Sequence, residues 1–94
     1  MKRSMIKGEK RVRFEMKAES GSNVFVAGTF NNWDPTQYRM VDNPHGGIFA
    51  ADVLLPKGRH EYKFIVNGKW CEDPACTETT PNDCGSLNSV IQVS

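Results

Sequence analysis

The sequence predicts an all-β chain folded as an antiparallel, immunoglobulin-like β-sandwich. Three observations lead there. Apolar residues recur at every second position in several separate stretches, the period of a half-buried strand. Those stretches are short and divided by clusters of Gly, Pro, Asn and Asp, the punctuation of turns. No stretch holds a helical period over two turns. Ninety-four residues make one domain of the size that sandwiches of this class adopt.

The elements follow in order. Val12, Phe14, Met16 and Ala18 alternate with Arg11, Arg13, Glu15 and Lys17, which predicts a first strand with a charged outer face. Ser20-Gly21-Ser22-Asn23 breaks it, and Val24-Phe25-Val26-Ala27 is a second β-rich run ending at Gly28. Phe30-Asn31-Asn32-Trp33-Asp34-Pro35 is turn chemistry, because Asn tolerates positive φ and Pro fixes φ. Tyr38–Val41 is expected as one short strand, and Asp42–Gly47 as a turn. Phe49, Ala51, Val53 and Leu55 alternate up to Pro56-Lys57-Gly58. Tyr62, Phe64 and Val66 alternate up to Asn67-Gly68, a strong hairpin signal. Residues 71–85 look like loop, and Ser89–Val93 closes the chain as a strand.

Charge and cysteines narrow the function classes. Twelve basic and eleven acidic residues give a net charge of +1. Residues 1–17 hold seven basic and two acidic residues, and residues 1–9 are expected to form a basic, flexible tail ahead of a binding domain at 10–94. No aromatic residue interleaves with those charges before Phe14, so a solvated tail is favoured over a nucleic-acid arm. Neither a secretory signal nor a membrane-length apolar run follows the basic start, and a cytoplasmic protein, or a piece of a larger one, is expected. Cys71, Cys76 and Cys84 are odd in number and lack close metal-ligand spacing. Reduced thiols, no metal and no cofactor are the expectation; a bridge between Cys76 and Cys84 stays open.

The hairpin fixes a face. A two-residue Asn67-Gly68 loop sets Val66 opposite Lys69, Ile65 opposite Trp70, and Phe64 opposite Cys71. Lys63, Ile65 and Trp70 then share one face, and Tyr62, Phe64, Val66 and Cys71 the other. The second set is the more apolar, so it should face the core, with Cys71 a buried thiol and Trp70 outside. Trp33 likewise stands at a turn, which belongs at the surface. Two exposed indoles beside Asn and Lys point to a flat ligand with apolar faces and a polar rim, as sugar rings have.

Three blocks carry a resemblance: Gly28–Trp33, Leu55–Trp70 and Asn88–Val93. In that order they resemble the glycogen-binding domain of the AMP-activated protein kinase β subunit. That domain is a family-48 carbohydrate-binding module, a type also found at the N-termini of α-glucan branching and debranching enzymes such as isoamylases. The resemblance runs from about residue 10 to the end. It implies an early-set immunoglobulin-like sandwich that binds α-1,4-linked glucan, whether glycogen, starch or a maltooligosaccharide. It also implies site residues. Trp33 and Trp70 match the family's two tryptophans, Lys63 its lysine and Asn88 its asparagine, while Cys84-Gly85-Ser86 matches a late Leu-Gly-Thr loop. Cys84 for leucine and Ser86 for threonine shrink apolar contact. At roughly 0.8 kcal/mol per buried CH₂, binding is expected to be weaker by about tenfold or more without a change of mode.

Two other classes compete. An enzyme that cleaves glycosidic bonds needs two carboxylates flanking the bond, and the acids here, including Asp34, Asp42, Glu61, Glu72, Asp73, Glu78 and Asp83, fall mostly in expected loops. A domain this small also lacks walls for a deep pocket, so catalysis is not expected. The other competitor is an interaction domain that has lost sugar binding and packs against a glucan-active enzyme or kinase partner; the Cys84 departure is its support. Neither a nucleic-acid nor a membrane partner is expected.

Overall fold

A computed structural model describes residues 9–42, 46–82 and 84–94. The expected basic tail lies outside these residues except for Glu9, as do Asn43, Pro44 and His45 of the Asp42–Gly47 turn, and Asp83. The fold is an antiparallel β-sandwich, with nine strands among the described residues: β1 (Lys10–Lys17), β2 (Val24–Gly28), β3 (Tyr38–Arg39), β4 (Val41–Asp42), β5 (Ile48–Leu55), β6 (Gly58–Val66), β7 (Lys69–Cys71), β8 (Thr79–Pro81) and β9 (Leu87–Val93). One sheet has the order β1-β5-β4, and the other β3-β2-β6-β9-β8 with β7 also paired to β6. All pairings are antiparallel, in line with the immunoglobulin-like class expected.

The core lies where the period-two patterns place it. Phe14, Val24, Val26, Leu55 and Phe64 are buried between the sheets, while Arg11, Arg13, Glu15 and Lys17 stay exposed on the outer face of β1. Phe64 is fully buried and meets the rings of Phe14 and Tyr62 edge-on. Truncating it to alanine should cost about 3–5 kcal/mol, a large share of the stability a domain of this size holds.

The Asn67-Gly68 hairpin has the register its turn dictates: Phe64 opposite Cys71, Ile65 opposite Trp70, Val66 opposite Lys69. Both turn residues take positive φ, 50° and 84°, as the tight turn that matches strand twist requires. Three expectations are corrected. Tyr38–Val41 is two strands, because the chain changes sheets at buried Met40; β3 pairs β2, and β4 pairs β5. Residues 71–85 include the edge strand β8, whose Thr-Thr-Pro shows no apolar alternation and whose Pro81 is tolerated at an edge. Cys71 is only half-buried, not a core thiol: β7 is three residues long, and the chain leaves the sheet directly after it.

The segment after β7 is pinned from beneath. The Tyr62 hydroxyl donates to Asp73 Oδ2 at 2.6 Å, and Asp73 N–H donates to the Ser89 hydroxyl at 3.1 Å. Burial, followed by the neighbouring Asp73 carboxylate, holds the Tyr62 phenol well above its ordinary value. All three cysteines are free.

Candidate functional site

The outer face of the larger sheet carries a trough of about 650 Å³ lined by Thr29, Trp33, Glu61, Lys63, Trp70, Pro81, Asn82, Cys84, Ser86 and Asn88. One wall is the turn after β2. A single 3-10 turn at Thr29–Asn31 leads into Asn32 and Trp33, both left-handed at φ 56° and 59°. A bulky side chain in that region is uncommon and strained, and here the turn imposes it. Trp33 N–H donates to Gly28 carbonyl at 2.9 Å. Asn31 cross-braces the turn: its Oδ1 accepts from Gly28 N–H at 3.0 Å and its Nδ2 donates to the Asp34 carbonyl at 3.1 Å. Asn31 and Asn32 thus shape the turn, as their residue type predicts. Gly28 allows the turn to sit against β6, since a Cβ there would collide with the Glu61 carbonyl oxygen and the Phe30 ring. Thr36 donates both its N–H and its hydroxyl to Asp34 Oδ1, which lowers the Asp34 pKa and closes the far side of the turn.

The floor is β6. Lys63 and Ile65 alternate away from the core-facing Tyr62 and Phe64, yet both are buried, at 7% and 5% exposure. Trp70, opposite Ile65, is 45% exposed. The centroids of Trp33 and Trp70 lie 6.4 Å apart, with the ring planes 53° apart. The two indoles therefore form two inclined facets rather than one flat platform.

The other wall is the loop between β8 and β9, and a hydrogen-bond chain ties it to the floor. Lys63 Nζ donates to Ser86 Oγ at 2.8 Å, and Asn82 Nδ2 donates to the same oxygen at 2.8 Å. Asn82 Nδ2 also donates to Asn88 Oδ1 at 2.9 Å, and Asn88 Nδ2 donates to Glu61 Oε1 at 2.9 Å. Arg59 completes the chain with a 2.8 Å contact to Glu61 Oε2. Asn88 first, then Arg59, pulls the Glu61 carboxyl below its ordinary pKa. Asn82 also accepts from Cys84 N–H and Ser86 N–H at its Oδ1, at 2.9 and 3.1 Å. Gly85 supplies the positive φ of 80° on which the loop turns.

Unused hydrogen-bonding capacity remains. An ammonium has three donors and Lys63 uses one; Asn88 keeps one amide N–H, and Ser86 keeps its hydroxyl proton. Among the described residues, every buried side-chain nitrogen and oxygen has a partner, so these spare donors belong to groups already held in place. Among the same residues, no cluster of His, Cys, Asp or Glu could hold a metal ion, and no helix is long and apolar enough to cross a membrane.

Six of the seven expected site residues (Trp33, Lys63, Trp70, Cys84, Ser86 and Asn88) line this one trough, and Gly85 lies within its loop. The sequence did not reveal Asn82, Glu61, Thr29 or Pro81. Asn82 stood in what looked like featureless loop. Glu61 stands two residues before Lys63 on an alternating strand, which puts the two on one face.

Over residues 10–94 the chain matches the family described as the glycogen recognition site of AMP-activated protein kinase. It is 38% identical over 76 residues to 5'-AMP-activated protein kinase subunit beta-2 of Mus musculus, covering 81% of this chain and 27% of that subunit. It is 40% identical over 73 residues to the beta-1 subunit of Bos taurus, covering 78% of this chain and 25% of that subunit. Against the beta-1 sequence of Sus scrofa it is 38% identical over 73 residues, covering 78% and 56%. The chain thus spans about a quarter of the length of the murine and bovine relatives.

Proposed function

The chain belongs to the glycogen-recognition family of AMP-activated protein kinase, and from that premise we propose that it binds α-1,4-linked glucan in the Trp33–Trp70 trough without catalysis. The observation that carries this reading is the pairing of two inclined indoles, 6.4 Å apart, with a prearranged polar floor. Apolar sugar faces stack on the rings, and the spare donors of Lys63, Asn88 and Ser86 meet hydroxyls. Because those donors are already ordered, binding loses little side-chain freedom.

The 53° tilt supports the linkage. An α-1,4 chain coils, so consecutive rings are inclined to each other, whereas a β-1,4 chain is an extended ribbon. Glycogen, starch and maltooligosaccharides all present the coiled form. Affinity is modest, since the trough is open and takes few rings. Among the described residues Glu61 is the one carboxylate lining it, and it is occupied by Asn88 and Arg59, whereas glycoside hydrolysis calls for a pair. The relatives are named as subunits of a kinase; by extension this domain brings a kinase or glucan-metabolising enzyme to cytoplasmic glucan, with residues 1–9 as a tail outside the binding domain.

Isothermal titration with a linear maltooligosaccharide, a cyclic one and a cello-oligosaccharide tests the reading. Saturable binding of the first two and none of the third is expected. The absence of both binding heat and any tryptophan fluorescence change with either α-glucan would favour the interaction domain that has lost its sugar.

A further inference from the structure

A second groove opens on the other side of the turn that carries Trp33. It holds about 720 Å³, and Phe30, Tyr38, Pro56, Arg59 and Gln37 are among its lining residues. It is the more polar of the two, with aromatic and apolar surface below, amide and guanidinium donors at the rim, and the Glu9 carboxylate and His60 ring also lining it. Phe30 and Tyr38 are half-buried against the core, their centroids 6.1 Å apart and their planes 50° apart; Phe30 stacks on Phe14 and meets His60 edge-on, so only its remaining surface faces the groove. The groove also adjoins the trough. Thr29 lines both, and its Oγ1 is fixed by accepting from Glu61 N–H at 3.2 Å, with its own proton left to donate. The Arg59–Glu61 pair bridges the same ridge, Arg59 lining the groove and Glu61 the trough.

We propose that this groove is a second glucan subsite, which takes further rings of the same chain that the tryptophans hold. The inference rests on the trough being the primary glucan site. A polymer seated on the tryptophans must leave the trough at an end, and the Thr29 ridge is an exit that leads to more aromatic surface. The charges at that ridge are paired at 2.8 Å, so a neutral sugar crossing it does not strip solvent from an unpaired ion. Arg59 keeps guanidinium donors beyond the one used on Glu61, and Gln37 is exposed and lines the groove.

The test compares a maltotetraose, which fills the trough alone, with a maltodecaose long enough to cross the ridge. Both are titrated against the wild-type chain and against Tyr38→Ala, Gln37→Ala and Trp70→Ala. Tyr38→Ala should weaken maltodecaose about three- to tenfold, the weight of one aromatic contact, and leave maltotetraose unchanged; Gln37→Ala should do the same to a smaller degree. Gln37 has no part in the core, so its variant remains informative if Tyr38→Ala does not fold. Backbone amide shifts of Gln37 and Tyr38 in the wild type should move with maltodecaose and stay still with maltotetraose. Equal loss for both ligands, or no loss for either, together with still amides, overturns the second subsite. Trp70→Ala separates that failure from failure of the trough: if it leaves maltotetraose binding intact, the primary site itself is wrong.

Discussion

The two outward faces of the sandwich are built from the same kind of alternating strand but solve different problems. On the outer face of the three-stranded sheet, Arg11, Arg13, Glu15 and Lys17 stand in solvent. Arg13 pairs there with Glu15 at 3.3 Å and with Asp52 at 3.5 Å, every partner being well exposed. Such pairs contribute little; they keep the face soluble. On the outer face of the six-stranded sheet, Lys63 and Asn88 also point away from the core, yet they are 7% and 6% exposed. Lysine is seldom buried unless it is paired, and here it is joined to a loop through Ser86. A polar network shielded outside the core has a desolvation cost that only its hydrogen bonds offset. The difference shows that buried polar groups on an outer face distinguish a prearranged surface from a solvated one.

The largest expected effect opposes the two faces directly. Trp33→Ala and Trp70→Ala should each weaken maltoheptaose binding by about 1–3 kcal/mol from lost stacking and apolar cover, with little change in Tm. Arg13→Ala should alter neither affinity nor stability by more than about 0.5 kcal/mol. Titration and thermal melts of the three variants measure both quantities. If Arg13→Ala affects binding as strongly as the tryptophan changes, the contrast between the faces fails.

Next in size is the loop anchor. Asn82→Ala removes the acceptor for Cys84 N–H and Ser86 N–H and the donor to Asn88 and Ser86. Affinity should fall about tenfold, the weight of one to two lost hydrogen bonds, although Asn82 was not among the residues expected to touch sugar. Unchanged affinity would mean that the loop needs no anchor and that the network is incidental to the site.

Legibility followed the same divide. The sandwich, the β6–β7 register and the outward placement of Trp70 were readable because period-two alternation and an Asn-Gly turn are local signals. Asn82 was not, because its role consists of contacts with Ser86 and Asn88, which no periodicity encodes. The split of Tyr38–Val41 between sheets was hidden for a similar reason: strand partners are set by tertiary packing around Met40. Cys71 was placed on the correct face, but alternation gives direction and not cover, and the chain leaves the sheet there. The burial of Lys63 was equally invisible, since its shield arrives from a loop 23 residues later.

A smaller effect sharpens the loop's part. Cys84 is exposed at the trough's lip. Cys84→Leu adds apolar area and should tighten a cyclic glucan by roughly 0.5–1.5 kcal/mol, with less gain for a short linear one. In the wild type, alkylation should reach Cys84 before Cys71 or Cys76, which are half-buried, and glucan should slow it. Unaltered affinity for both ligands would remove the 84–86 loop from the contact surface and leave the tryptophans in place.

The smallest effect is that of pH. The Glu61 pKa in the folded chain is lowered from its ordinary 4.5 by Asn88 and Arg59. Its contribution to stability is present above about pH 4.5 and is lost as pH falls through the folded value. Glu61 is a quarter exposed, so solvent screening keeps that contribution small. Glu61→Gln keeps an acceptor for Asn88, and at neutral pH its glucan affinity should stay near that of the wild type, with a flatter acid limb in melts recorded below pH 4.5. A steep acid limb identical to that of the wild type would assign the dependence to another carboxylate.

The contrast between the two faces is tested most directly by one titration of isotope-labelled protein with maltoheptaose, followed by amide and indole resonances. The indole N–H signals of Trp33 and Trp70 and the amides of Lys63, Ser86 and Asn88 should shift together and saturate at one concentration, while those of Arg11, Arg13, Glu15 and Lys17 stay still. Saturable shifts on β1 with still indoles, or glucan binding that moves neither tryptophan, would contradict the account.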